Sequence, residues 1–211
     1  MPPRFFETRL CLTCGLRFPR EQGNSVGIRC PHCLGETEVV FQQTIYEEQM
    51  RRTKTAKKSA GVYAVLLDNV RSAWNVGSIL RSAEGLGFDQ VFLCGITPTP
   101  ENEAIKKTSL GAEKTIAWSY HKNSVEVIKK LKAEGWKIYA LEEHENAVAI
   151  HSQLPKRKNQ VLILGNEVTG VDNDLLSVCD EIFYIPMQGE KRSFNVAIAF
   201  SVAGFVLRQN G

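Results

Sequence analysis

The feature that most limits how this chain can fold is a change of rhythm at Val62. From there, short apolar runs alternate with amphipathic segments. VYAVLL (62–67), QVFLCG (90–95), WKIYAL (136–141), VLILG (161–165) and EIFYIP (181–186) are short and rich in β-branched and aromatic residues, so they read as mostly buried strands. Between them, residues 76–85, 124–134, 173–178 and 195–209 read as helices. Strands that are apolar throughout and alternate with helices belong to a parallel sheet covered on both faces. The expectation is an α/β domain of three layers over residues 61–211.

The residues before this rhythm follow another rule. Four of the six cysteines lie within the first 40 residues, as Cys11-Leu-Thr-Cys14 and Cys30-Pro-His-Cys33. Each pair can turn both sulfurs onto one point, and two such knuckles complete a tetrahedral site for structural Zn2+. Gly15 supplies backbone freedom after the first knuckle. So short a segment has too little core to fold alone, and bound metal would supply what is missing. Disulfides fit poorly in a cytosolic chain, whereas an iron site of rubredoxin type uses the same four ligands. His32 is expected to be exposed, and Cys94 and Cys179 to be packing residues without chemistry. The expected organisation is a zinc ribbon at 1–40, a helical and basic linker at 41–60, and the α/β domain from 61.

The formal charge is only +3, and four zinc-bound thiolates with their ion would reduce it to +1. Net charge therefore says little about nucleic acid. Local charge says more: Arg51, Arg52, Lys54, Lys57 and Lys58 fall within eight residues without an acid, and Lys156–Lys158 and Lys191–Arg192 are further basic spots. Such clusters neutralise phosphates, though each alone is equally a solvated loop. The first ten residues lack the apolar core of a signal peptide. The longest apolar stretch, Val196 to Leu207, falls short of the roughly 20 residues a bilayer requires. A cytoplasmic protein that does not engage a membrane is expected.

Three motifs stand where strands run into helices. In the first, Asn75 and Gly77 precede Arg81 on an apolar helix stripe of Val76, Ile79, Leu80 and Ala83. Asn75 suits a helix N-cap, and Arg81 is either a snorkelling surface residue or a functional one. In the second, a buried strand ends in Gly165-Asn166-Glu167-Val168-Thr169-Gly170, either a ligand loop or an ordinary tight turn. In the third, Ile185-Pro186-Met187-Gln188-Gly189 leads through Ser193, Phe194 and Asn195 into the last helix. Ser193 and Asn195 also suit a plain helix start. Neither a GxGxxG fingerprint nor a P-loop is present, which argues against a conventional nucleotide-binding enzyme.

In this order and spacing, the three motifs resemble the SpoU (TrmH-like) family of RNA ribose methyltransferases, of the SPOUT superfamily, over residues 62–209. The matching pieces are N-x-G-x-x-x-R (Asn75, Gly77, Arg81), G-N-E-x-x-G (Gly165, Asn166, Glu167, Gly170) and I-P-M-x-G…S-x-N-V (Ile185 to Val196). Phe194 replaces a usual leucine, Val168 a frequent glycine and Ala197 a frequent serine. The resemblance implies a C-terminal trefoil knot, a homodimer, and S-adenosylmethionine bound by Gly165, Asn166, Gly170, Ile185, Met187, Ser193 and Phe194. It implies tRNA or rRNA as substrate, with Arg81, Asn75, Glu167, Ser193 and Asn195 as catalytic residues, Glu167 orienting Arg81. The family gives the Arg81 counterpart the roles of phosphate ligand and base. Since a guanidinium has a pKa above about 12, phosphate clamping with alkoxide stabilisation is the reading we favour. A base-directed SPOUT enzyme and a non-catalytic RNA-binding module that kept the fold are the alternatives.

Overall fold

The structure is a computed structural model that describes residues 3–45, 61–150 and 159–210. The basic runs at 51–58 and 156–158 fall outside these residues. The chain divides into two units, residues 1–56 and 57–211.

The first unit is a three-stranded antiparallel sheet of β1 (Arg4–Cys11), β2 (Arg17–Glu21) and β3 (Thr37–Ile45), in the order β2-β1-β3. Among its described residues only Cys11, Cys30 and Glu7 are buried, so there is no apolar core. Glu7 faces Arg20 across the sheet. Its carboxylate accepts from Arg9 Nη1 at 2.6 Å and from Arg20 Nη1 at 2.5 Å. The hydrogen bond from Arg9 leads the effects that hold this carboxyl below the usual range, burial acting against it. The helix expected from residue 41 begins differently: residues 41–45 extend β3. Pairing with β1, which sets Phe41 opposite Thr8 and Gln42 opposite Glu7, satisfies their backbone groups, which a short polar helix with no apolar face to bury cannot secure. Residues 46–60, the rest of that expected helix and linker, lie outside the described set.

The second unit has the expected three layers. Its seven strands are β4 (Tyr63–Asp68), β5 (Gln90–Cys94), β6 (Ala117–His121), β7 (Lys137–Leu141), β8 (Val148–Ala149), β9 (Gln160–Leu164) and β10 (Glu181–Tyr184). All pair in parallel, in the order β6-β5-β4-β9-β7-β10-β8. Alternation along β4 feeds two cores. Tyr63, Val65 and Leu67 pack with α1 (Ala73–Leu86), α2 (Glu103–Ser109) and α5 (Val196–Asn210). Ala64 and Leu66 pack on the other face with α3 (Ser124–Ala133) and α4 (Asn173–Leu176). Both faces of β4 are thus apolar, as the uninterrupted run VYAVLL requires.

Two expected positions shift at α1. The helix begins before Asn75, and its N-cap is Ser72, whose hydroxyl accepts the Asn75 N–H at 3.3 Å. The Asn75 side chain is thereby free for other partners. Gly87, with φ 74°, closes the helix at its C-terminus. The buried stripe is the expected one, Val76, Ile79, Leu80 and Ala83. Gly77 has a packing reason: a Cβ there would lie 2.6 Å from the Ile105 carbonyl and 1.9 Å from the Thr108 hydroxyl on α2.

Candidate active site and metal centre

The chain leaves β4 for β5 and β6 on one side of the sheet, then crosses to lay β7 and β9 on the other. Such a reversal opens a crevice at the carboxyl ends of the strands. Loops following β7, β9 and β10 enclose a cavity of about 510 Å³ there, a size typical of a small-molecule site. Leu141, Leu164, Ile185 and Phe194 give it apolar walls, and Asn166, Glu167, Arg192, Ser193 and Asn195 give it polar ones. Gly165, Gly170 and Met187 also line it, so every residue expected to hold the cofactor borders this one space.

The loop after β9 is a closed turn. Asn166 and Gly170 exchange backbone hydrogen bonds of 3.0 and 2.9 Å. A Cβ on Gly165 would come within 2.2 Å of the Gly170 carbonyl carbon and the Val171 nitrogen, so only glycine allows this closure. The Asn166 amide serves the turn itself: its oxygen accepts the N–H groups of Val168 and Thr169, while Nδ2 donates to the Asn69 carbonyl at 2.7 Å.

Glu167 carries the turn's charge to the start of α1. Its carboxylate accepts the backbone N–H of Arg71 at 2.9 Å and of Ser72 at 3.1 Å, and the Asn75 amide at 3.0 Å. An anion at a helix N-terminus is favoured by the helix dipole. Burial alone would raise the Glu167 pKa, but the hydrogen bonds, led by Arg71, hold it below the usual carboxylate value. The network continues as Asn195 Nδ2 donates to Asn75 Oδ1 at 3.1 Å, while Asn195 Oδ1 caps α5 through the Ala197 N–H. Asn75, Glu167 and Asn195 therefore join all three motifs in one hydrogen-bonded chain. Arg71, Ser72, Asn75, Glu167 and Val168 border a polar notch that shares Glu167 and Val168 with the larger cavity.

Arg81 does not join them. It is exposed and borders neither the cavity nor the notch. Six residues of helix separate it from Asn75, about 9 Å along the axis and roughly 120° around it. The expected contact from Glu167 to Arg81 is absent, because both Glu167 oxygens are engaged at the other end of the helix. Arg81 instead shares an outward stripe of α1 with Ser78 and with Trp74, which is 58% exposed. Beside that stripe, Gly85, Leu86, Ile198, Val202, Phe205 and Val206 form an apolar groove between α1 and α5.

One participant had no signal in the motifs. Glu142, just past β7, lines the cavity between the two motif-bearing loops. It occurs in the polar stretch LEEHEN, where its sequence neighbours resemble any solvated loop.

In the other unit, the sulfurs of Cys11, Cys14, Cys30 and Cys33 all lie within 4.8 Å of one another. Cys11–Cys33 and Cys14–Cys30 are 3.5 and 3.6 Å apart. Four thiolates at about 2.3 Å from a tetrahedral Zn2+ would be about 3.8 Å apart, so this set fits that ion. The knuckles are alike: Gly15 N–H donates to the Cys11 carbonyl and Leu34 N–H to the Cys30 carbonyl, with Gly15 at φ 73° and Leu34 at φ 59°. His32 is exposed. Burial pushes the Cys94 and Cys179 thiols up to about 12, which keeps them unreactive.

With this geometry established, comparison with known proteins is informative. The SpoU rRNA methylase family matches residues 63–205. A 23S rRNA (guanosine(2553)-2′-O)-methyltransferase of Bacillus subtilis is 32% identical over 144 residues, 68% of this chain and 57% of that protein. A tRNA (guanosine(18)-2′-O)-methyltransferase of Thermus thermophilus is 30% identical over 141 residues, 67% of this chain and 71% of that one. The structure of an AdoMet-bound rRNA methyltransferase from Sinorhizobium meliloti superposes with a TM-score of 0.66 at 28% identity, covering 70% of this chain and 56% of that one. The chain thus spans little more than half the length of the Bacillus and Sinorhizobium proteins.

Proposed function

Because the chain belongs to the SpoU rRNA methylase family, we propose that it methylates a ribose 2′-hydroxyl of tRNA or rRNA, with S-adenosylmethionine as donor. The observation that carries this reading is the Asn75–Glu167–Asn195 chain at the rim of the cavity. The printed activities of the Bacillus and Thermus relatives support it.

When bound, the donor supplies a methyl group on a sulfonium. Gly165 lets the turn close along its wall, Ile185 and the 42%-exposed Phe194 ring give it apolar surface, and Met187, Ser193, Asn166 and Gly170 complete the wall. We assign residues 165–171 and 185–196 to the trefoil knot of the SPOUT enzymes. A ribose hydroxyl is a weak nucleophile that must lose its proton, to solvent water, as its oxygen bonds the methyl carbon and the sulfur–methyl bond would break. Asn75, Ser193 and Asn195 position that ribose, and a cation stabilises the growing alkoxide. Arg81 is the cation we assign, with phosphate clamping as its second role. Since it borders neither this cavity nor the notch in its own chain, the assignment calls for a second copy that brings its Arg81 to this one. The apolar groove between α1 and α5, next to Arg81, supports a homodimer formed on that face.

The four-cysteine cluster is assigned structural Zn2+, and the ribbon with the basic linker an extended RNA contact. Among the described residues, no helix is long and apolar enough to cross a membrane, and with an RNA substrate of this kind we assign the enzyme to the cytoplasm. The test is transfer of a labelled methyl group to total RNA lacking the modification, followed by nucleoside mass spectrometry. A 2′-O-methyl nucleoside is the expected product. A base-methylated nucleoside would assign the chain to the base-directed SPOUT branch, and no product would leave an RNA-binding module.

A further inference from the structure

We propose that Glu142 is a positioning residue for the methyl donor, holding the cavity loop after β9 in its binding shape through one carboxylate oxygen while the other anchors its own side chain. The proposal rests on the cofactor reading above. β7 lies between β9 and β10 in the sheet, so the residue following it stands between the two loops that carry the second and third motifs. Glu142 reaches both. Its backbone N–H donates to the Phe183 carbonyl of β10 at 2.9 Å. Its side chain turns the other way, where Oε2 accepts the Val171 N–H at 2.9 Å at the end of the closed turn. Oε1 accepts the N–H of Glu143, which fixes the rotamer from its own loop at 3.0 Å.

The turn is shaped around this carboxylate. Gly170 has φ 71°, and a Cβ there would lie 2.4 Å from Glu142 Oε2. Gly170 therefore serves two purposes, a left-handed backbone and room for the incoming oxygen. Without the carboxylate, the N–H of the buried Val171 loses its acceptor, and the turn that closes beside Gly165 loses its tie to β7. A backbone N–H bonded to an ionised carboxylate is among the stronger hydrogen bonds, and loss of one partner leaves the other stranded.

The experiment is calorimetric titration of S-adenosylmethionine into the full chain, its E142Q and E142A variants, and G170A alone and combined with E142A. Glutamine keeps one acceptor oxygen, so affinity should fall in the order wild type, E142Q, E142A, with roughly a tenfold loss for E142A. G170A should weaken binding in the wild type and less in E142A, where the clashing oxygen is gone and only the strain of the left-handed backbone remains. In methyl transfer, KM for the donor should rise, with kcat at saturating donor and KM for RNA unchanged. A wild type that fails to bind S-adenosylmethionine would overturn the cofactor reading and this inference together. A wild type that binds, with E142A binding equally well or only melting at a lower temperature, would overturn this inference alone.

Discussion

The two units obtain order from opposite sources. In the first, the buried side chains among the described residues are two cysteines and one glutamate, and the strands are tied by Arg9–Glu7–Arg20 and the four-sulfur cluster. In the second, more than thirty apolar side chains are buried in two clusters on either face of the sheet. Polar groups there gather at the carboxyl ends of the strands, where the loops meet. The contrast teaches where function can be placed. A unit held by its own ligand set has no coordination position left over for chemistry, whereas a unit held by its core can commit its loops to a site.

Metal removal should give the largest separation between the units. Chelation, or Cys11→Ser with Cys30→Ser, should unfold the ribbon, since binding of structural zinc supplies on the order of 10 kcal/mol to such small units. Circular dichroism should show loss of the antiparallel sheet, while S-adenosylmethionine binding by the second unit survives. Loss of both together would end the comparison. Gly165→Ala should do the reverse: forcing a methyl group against the Gly170 and Val171 backbone should cost about 3 kcal/mol and remove donor binding. Zinc content, read by atomic emission, should not change. Glu7→Ala removes the buried carboxylate between two guanidinium groups in the ribbon and should cost about 2 kcal/mol, seen as a lower chelator concentration for unfolding.

The smallest effect concerns Glu167, whose folded pKa is lowered. A depressed carboxyl stabilises the fold above its unfolded value of about 4.3, and this contribution disappears as pH falls through the folded value. The melting temperature of wild type should therefore exceed that of E167Q at neutral pH, and the gap should close below about pH 4. A gap that is constant with pH would mean that the carboxylate charge contributes nothing at the helix start.

Much of this was legible from local pattern. VYAVLL and VLIL are apolar at every position because both faces of β4 and β9 are covered, and that alone implies a central parallel strand. The edge strand AWSYH was not legible, since an edge strand carries polar Ser119 and His121 without an uninterrupted apolar run. Similarly, β8 spans only two residues, too short for any period. At the site, motif spacing brought Asn75, Glu167 and Asn195 to the same crevice, yet it put the cap of α1 at Asn75, a place that Ser72 takes. A cap is a local pattern that several polar residues fit, and the partner of the Asn75 side chain, Glu167, lies far away in sequence. Arg81 shows the larger limit. Its place on a helix is readable, but its position away from the cavity follows from how α1 packs on the sheet, which no motif spells out. Glu142 carries no motif at all, because the Val171 N–H that it accepts lies 29 residues away and is delivered by the fold alone.

The most direct test of the account is a crystal structure of the full chain grown with S-adenosylmethionine. We predict the donor in the cavity between Gly165, Ile185 and Phe194, its methyl-bearing sulfur toward the Asn75–Asn195 rim. An ordered donor elsewhere on the molecule, with this cavity filled only by water, would contradict it.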